Sequence, residues 1–490
     1  MDGLILPSRT RGTPWRLPVW ALPAALALLL GLWHLGRPLL WRDELASWSA
    51  ARRTTGQLWG LLDHVDAVSG AYYFLLHFWI RVFSGSAVGL RLPSVLATAA
   101  TAGLTALVGR RLFRPRVGLW AGILFALVPT VLRFAQEARS YALADTAVLL
   151  ATWQLLFLLD RAERRCRWRE AGAWAGYGAT LALIGLLHLV GLSVLAAHAW
   201  LLITRRRRAW RGFVSAVALA VLALSPLLLI GQGQSDRQTG WTVRPSLNAV
   251  PGFLQNLTSG GLFGLALLVL AVVGMLSRSG LMYSPVPFLP IATVWICSQG
   301  AHSYWVERYL LFVVPLWTIL AAAGVDKLPW SRWIAPFAVL LVAGLASDGI
   351  RIDSLEFSHT GVDWRSGAAV IALGYQAGDA IVPERGVDAL FMTDLGISYY
   401  LPQSSQPRDI FVSIPAVARN DLFALECTLP VVCLNGAHRV WVVTDGHASA
   451  PLGGLLPSQQ AALRSNYRVT ELHYVRGLTV TLLTLRTQGP

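Results

Sequence analysis

Eleven apolar stretches separated by arginine clusters constrain this chain more than any other feature. They lie near Leu17 to Leu35, Leu90 to Val108, Val117 to Leu132, Tyr141 to Leu159, Ala171 to Leu187, Val190 to Ile203, Phe213 to Ile230, Leu262 to Met275, Leu281 to Ile296, Leu310 to Ala323 and Trp333 to Ala346. A helix needs about 20 apolar residues to cross the hydrocarbon layer, so each stretch is a candidate span, although several are short. A mean hydropathy of +0.53 puts far more apolar surface in 490 residues than one water-soluble core buries. The sequence therefore reads as a polytopic α-helical membrane protein of about 11 transmembrane helices.

The formal net charge of +15 would suggest nucleic acid in a soluble protein, but here the positive residues sit between apolar stretches. Arg9, Arg11 and Arg16 precede the first stretch, and Arg110, Arg111, Arg114 and Arg116 follow the second. Arg161, Arg164, Arg165, Arg167 and Arg169 follow the fourth, Arg205 to Arg208 the sixth, Arg278 the eighth, and Lys327 with Arg332 the tenth. The positive-inside rule puts all of them on the cytoplasmic side if there are eleven spans. The N-terminus is then cytoplasmic and the tail extracytoplasmic. This parity requires Ala71 to Phe83, which is apolar enough to span, to lie instead along the outer interface. His77 and Arg81 within it fit that placement. The first stretch reads as retained, since no small-residue cleavage site follows it.

Two parts follow: residues 1–347, a transmembrane part with a first outer loop at 36–90, and residues 348–490, a tail. Ile381 and Val382, Arg439 to Thr444, and Tyr467 to Arg486 carry β-branched runs punctuated by Gly, Pro and Asp, so the tail reads as a small extracytoplasmic α/β domain. A further outer loop, Gln232 to Gly260, is a candidate lid or acceptor-binding segment. Four cysteines are too few for a disulfide scaffold and lack metal-ligand spacing with histidine. Cys427 and Cys433 can pair if they face an oxidising compartment.

Charge beside a span is costly unless it has work to do, which singles out three groups on the outer side. Asp43 and Glu44 end the first span, and a carboxylate there can take the proton of an attacking hydroxyl. The same loop holds Asp63, His64 and Asp66, then Tyr72 and Tyr73, as acceptor-positioning candidates. Gln136, Glu137, Arg139 and Tyr141 form the second group, and His302, Tyr304, Glu307, Arg308 and Tyr309 the third. Arginine can hold a phosphate bidentately or stabilise charge on a departing one. The alternatives are solvated acids, a loop-ordering ion pair of Arg139 with Glu137 or Asp43, and a snorkelling Arg308. His188 and His198, inside apolar stretches, read as core residues.

Taken in order, Asp43-Glu44, Tyr72-Tyr73-Phe74-Leu75-Leu76, Arg91-Leu92-Pro93-Ser94, Gln136 to Leu143, Glu307-Arg308-Tyr309-Leu310, Asp363-Trp364-Arg365 and Gly378-Asp379 resemble the polyprenyl-phosphate-sugar-dependent glycosyltransferases of the C-type superfamily. That group includes protein O-mannosyltransferases and the bacterial aminoarabinose transferase of lipid A. One departure is Ser69-Gly70-Ala71 where many members carry Pro-Pro-Leu before Tyr-Tyr. The resemblance implies that a single sugar, such as mannose or a pentose, passes with inversion from a polyprenyl phosphate to a glycan, lipid or protein acceptor of the cell envelope. It matches Asp43 to the catalytic acid and Glu44 to its support. Arg139 and Arg308 become candidates for the donor phosphate. Asp66, His64, Tyr72, Glu137, Tyr141, His302 and Glu307 remain candidates for substrate contact. Members differ in metal use; no carboxylate cluster here compels a metal ion, and a divalent one stays open. The rival classes are a lipid or polysaccharide flippase, whose charges would lie near the midplane of paired halves, and a membrane scaffold.

Overall fold

The structure is a computed structural model that describes residues 18–161, 167–205, 209–257, 261–328, 331–385, 392–446 and 451–486. Arg9, Arg11, Arg16, Arg164, Arg165 and Arg206 to Arg208, on which part of the charge argument rests, lie outside the described residues.

A helix or helix pair overlies each apolar stretch. α1 (Ala21–Leu32) is followed by three loop helices, α2 (Arg42–Ala51), α3 (Thr55–His64) and α4 (Gly70–Phe83). Then come α5 (Ala87–Leu112), α6 (Pro115–Ala126), α7 (Pro129–Ala135), α8 (Tyr141–Arg161), α9 (Arg167–Leu187), α10 (Val194–Arg205) and α11 (Trp210–Gly233). α12 (Ser235–Thr239) and α13 (Ala249–Leu257) lead to α14 (Gly261–Met275), α15 (Arg278–Tyr283), α16 (Pro285–Cys297), α17 (Val314–Val325) and α18 (Ser331–Asp353). Among the described residues five helical segments are long and apolar enough to cross a membrane, or up to seven if two bent pairs each count as one span. The pair α6 and α7 bends by 65°. Pro129 explains the break, because it pushes Val128 into an extended conformation (φ −68°, ψ 116°) that cannot continue α6.

Small residues let these helices approach closely. A Cβ on Gly324 of α17 would stand 1.9 Å from the Leu270 carbonyl of α14, and one on Gly274 2.1 Å from Leu320 O. All twelve residues of α17 are buried, which puts it at the centre of the bundle. α11 keeps Leu222 and Leu229 exposed and lies at the rim.

The tail holds α19 (Trp364–Gly374), β1 (Ala380–Pro383), α20 (Thr393–Tyr400), β2 (Arg408–Asp409), β3 (Val412–Ile414), β4 (Leu425–Glu426), α21 (Pro430–Cys433), β5 (Arg439–Asp445), α22 (Pro457–Asn466), β6 (Tyr467–Val475) and β7 (Leu478–Leu485). Five strands form a mixed sheet in the order β2-β1-β5-β7-β6. β1 runs parallel to β2 and β5, while β7 is antiparallel to β5 and β6. Gly477 turns the β6–β7 hairpin at φ +72°, a conformation that favours glycine. Cys427 and Cys433 form a disulfide.

Residues on one strand alternate in side, so the sheet has two cores. Val440 and Val442 pack with Leu434, Ala462 and Leu463. Trp441 and Val443 pack on the other side in one cluster with Leu40, Leu45, Leu58, Tyr72 and Tyr73. The sheet is thereby docked on loop 36–90. Leu39 N–H donates to Glu356 O (2.9 Å), Leu40 N–H to the Tyr400 hydroxyl (3.1 Å), and Arg53 to Asp421 O.

Candidate active site

Asp43 and Glu44 stand in the first turn of α2, where unpaired N–H groups favour acids. Neighbours on a helix point about 100° apart, and these two meet opposite fates. Glu44 is fully buried. Arg91, in α5, donates through Nε to Oε1 and through Nη2 to Oε2, each at 2.7 Å. Ala138 N–H adds a bond to Oε1 at 3.0 Å, and His359 Nδ1 lies 3.9 Å from Oε2. The remaining donors of Arg91 reach Leu35 O and Pro38 O (both 2.9 Å) and Leu39 O (3.3 Å). Burial alone would raise the Glu44 carboxyl, but Arg91, with His359, holds it well below the usual carboxylate range. Glu44 is therefore a permanently charged clip joining α2, α5, the 136–140 turn and the tail.

Asp43 turns the other way. Its side chain is 19% exposed, and Oδ2 lies 4.0 Å from Arg308 Nη2. Arg308 stands in the 3₁₀ turn Glu307–Val313, and its Nε donates to the Tyr141 hydroxyl at 3.0 Å. The guanidinium also lies over the rings of Trp41 (5.8 Å), Trp241 (5.6 Å) and Tyr309 (5.6 Å). Tyr141 packs its ring with Phe134, His188 and Tyr309. An acid and a cation from distant parts of the chain thus share one partly exposed edge.

The turn between α7 and α8 backs this pair. Gln136 ties the turn to α1 by donating to Gly31 O (3.0 Å) and Trp33 O (2.7 Å). Glu137 accepts from Arg133 Nη1 at 2.8 Å, while its Oε1 is buried without a partner among the described residues. Burial pushes the Glu137 carboxyl up to about 7; Arg133 opposes this, and the charges of Glu44 and Asp43 add to it. Arg139 donates to the Tyr73 hydroxyl at 3.3 Å, and Tyr73 in turn donates to Asp66. Burial disfavours charge on Arg139, but Tyr141, Tyr73, Asp43 and Asp66 outweigh it. Asp66 itself holds a left-handed backbone (φ 63°), supported by Ser69 Oγ at 3.1 Å.

Other expected residues are engaged elsewhere. His64 is exposed and bonds Gly60 O (2.9 Å), His302 faces Asp236 (3.7 Å), and Glu307 accepts from Asn256 (3.1 Å). Tyr72 is fully buried in the docking core. His198 is a core residue bonded to Thr152 (2.9 Å) and Tyr177 (2.8 Å), whereas the His188 ring packs on Tyr141 and Tyr309 beside the site. The Gln232 to Gly260 loop carries α12 and α13, and Arg237 latches it to Asp421 with bonds of 2.8 and 3.0 Å. Among the described residues no group of three or more His, Cys, Asp or Glu is placed to hold a metal ion. Sequence reasoning missed Trp41, Arg133, Trp241 and His359, and it quoted Arg91 without a role. A charged residue opening an apolar helix is the signal that marks Arg91.

The fold has a counterpart among solved structures. It is shared with the crystal structure of ArnT from Cupriavidus metallidurans in the apo state, with a TM-score of 0.61 at 14% identity over 94% of this chain and 97% of that one. The same protein bound to undecaprenyl phosphate gives 0.62 at 15% identity over the same shares. Residues 70–230 match the dolichyl-phosphate-mannose-protein mannosyltransferase family. An undecaprenyl phosphate-alpha-4-amino-4-deoxy-L-arabinose arabinosyl transferase of Pseudomonas aeruginosa is 32% identical over 158 residues. That match covers 31% of this chain and 28% of the curated relative. The chain thus resembles the polyprenyl-phosphate-sugar-dependent glycosyltransferases, as its ordered motifs implied.

Proposed function

We propose that the protein transfers a single sugar, mannose or a pentose, from a polyprenyl phosphate to a glycan, lipid or protein acceptor on the extracytoplasmic side of the cell membrane. The observation that carries this reading is the unequal pair: Glu44 is sealed against Arg91, while Asp43 is partly exposed, 3.5 Å from Arg42 and 4.0 Å from Arg308. In the proposed reaction Asp43 takes the proton of the acceptor hydroxyl. The freed oxygen attacks the anomeric carbon from the side opposite the phosphate, the bond from that carbon to the phosphate oxygen breaks, and the configuration inverts. Polyprenyl phosphate leaves with the bonding electrons, and its charge is held by arginine. On this reading the chain crosses the membrane eleven times, with the N-terminus in the cytoplasm and residues 348–490 outside.

The purified protein in liposomes, given a polyprenyl-phosphate-linked sugar and envelope acceptors, should release polyprenyl phosphate and form glycoside in equal amounts. Movement of the lipid between leaflets without glycoside formation would overturn the reading.

A further inference from the structure

We infer that the indole N–H of Trp41, together with Arg133 and Arg308, binds the phosphate of the lipid-linked donor. The inference rests on the transferase reading and deepens it. Trp41 stands two residues before Asp43, where the loop enters α2. Two guanidinium groups lie over its ring, Arg308 at 5.8 Å and Arg133 at 6.0 Å. The three residues come from loop 36–90, from α7 and from the turn before α17, so only the folded chain assembles them.

The indole Nε1 is buried and has no hydrogen-bond partner among the described residues. A buried donor left unpaired is costly, so an unpaired N–H on a ring contacted by two guanidinium groups points to an acceptor that completes it. The acceptor must be anionic to balance the arginines and must offer several oxygens. A phosphate meets both conditions. Of the nearby carboxylates, Asp43 stands 4.0 Å from Arg308, too far for a hydrogen bond. Glu44 is committed to Arg91, and Glu137 holds Arg133 through one oxygen only. With its carboxyl near neutrality, Glu137 can take a proton and release Arg133 as the phosphate arrives. Arg139, by contrast, is turned toward Tyr73 and through it to Asp66, a layer behind. The geometry therefore separates two arginines that the sequence treated alike: Arg308 contacts the phosphate, and Arg139 sets the electrostatics around it.

Trp41→Phe keeps a flat ring and deletes the N–H. One bond to a charged acceptor is worth about 1.5–3 kcal/mol, so donor KM should rise roughly 10- to 100-fold while kcat changes far less. Trp41→His, which keeps a ring N–H, should fall between Trp41→Phe and the parent. The second readout is the indole 15N–1H resonance that the Trp41→Phe spectrum lacks. In the parent protein it should move on addition of undecaprenyl phosphate, and stay in place with undecaprenol or with inorganic phosphate at the same concentration.

A resonance unmoved by undecaprenyl phosphate, with unchanged donor KM in Trp41→Phe, overturns the inference while leaving the transferase reading intact. An equal shift with inorganic phosphate overturns the assignment to the lipid donor. A specific shift in a protein that forms no glycoside supports the phosphate site and overturns the transferase reading.

Discussion

Asp43 and Glu44 carry the same formal charge one residue apart, and their surroundings give them different work. Breaking a buried ion pair by removing one partner costs about 3–5 kcal/mol, so Glu44→Gln should lower the melting temperature strongly, and Arg91→Gln should do the same. Asp43→Asn touches no buried bond and should melt like the parent. Glu137 adds a pH signature. Its folded value of about 7 lies above the ordinary 4.5, so the folded state holds the proton more tightly than the unfolded one. Stability from this group is fully present below about 4.5 and is lost as the pH rises through about 7, a change of about 3 kcal/mol. Melting followed across this window should show a steeper fall in the parent than in Glu137→Gln; equal slopes would show that Glu137 does not titrate there.

Element by element, what was legible followed local pattern. Apolar runs located each helix of the bundle, and β-branched runs located β1, β5, β6 and β7, because period and propensity act within a few residues. The sheet order β2-β1-β5-β7-β6 was not legible, since pairing is decided by partners far apart in the chain. The same reason hid the Glu44–Arg91 clip, whose members are 47 residues apart, and the approach of Arg308 to Trp41. Acids and arginines stood out against apolar neighbours, whereas a tryptophan such as Trp41 looks ordinary in a chain with 21 of them. Close packing of α14 on α17 yields its own prediction. Gly324→Val would drive a side chain into Leu270 O, and overpacking of this kind costs about 1–3 kcal/mol, readable as a lower melting temperature. An unchanged melt would mean that the two helices are not held at this distance.

For the whole molecule, the sheet and the first loop share one core, so the tail acts as a brace for the segment that carries Asp43. Asp421 accepts from Arg53 through its carbonyl and from Arg237 through its carboxylate, joining the tail to loop 36–90 and to α12. The proposed orientation puts this brace outside the cell. With Cys166 and Cys297 replaced by serine, Ser465→Cys in the exposed end of α22 should react with a membrane-impermeant maleimide on intact cells. Labelling only after lysis would reverse the orientation.

The central claim is that Asp43, and not its sealed neighbour, takes the proton of the acceptor. The most direct measurement is the rate of sugar transfer from a polyprenyl phosphate by purified Asp43→Asn, with its melting temperature recorded beside it. General base catalysis contributes about 10²–10⁴-fold, so a loss of that size at an unchanged melting temperature is the expected result. Transfer at the full parental rate by a folded Asp43→Asn would contradict the account.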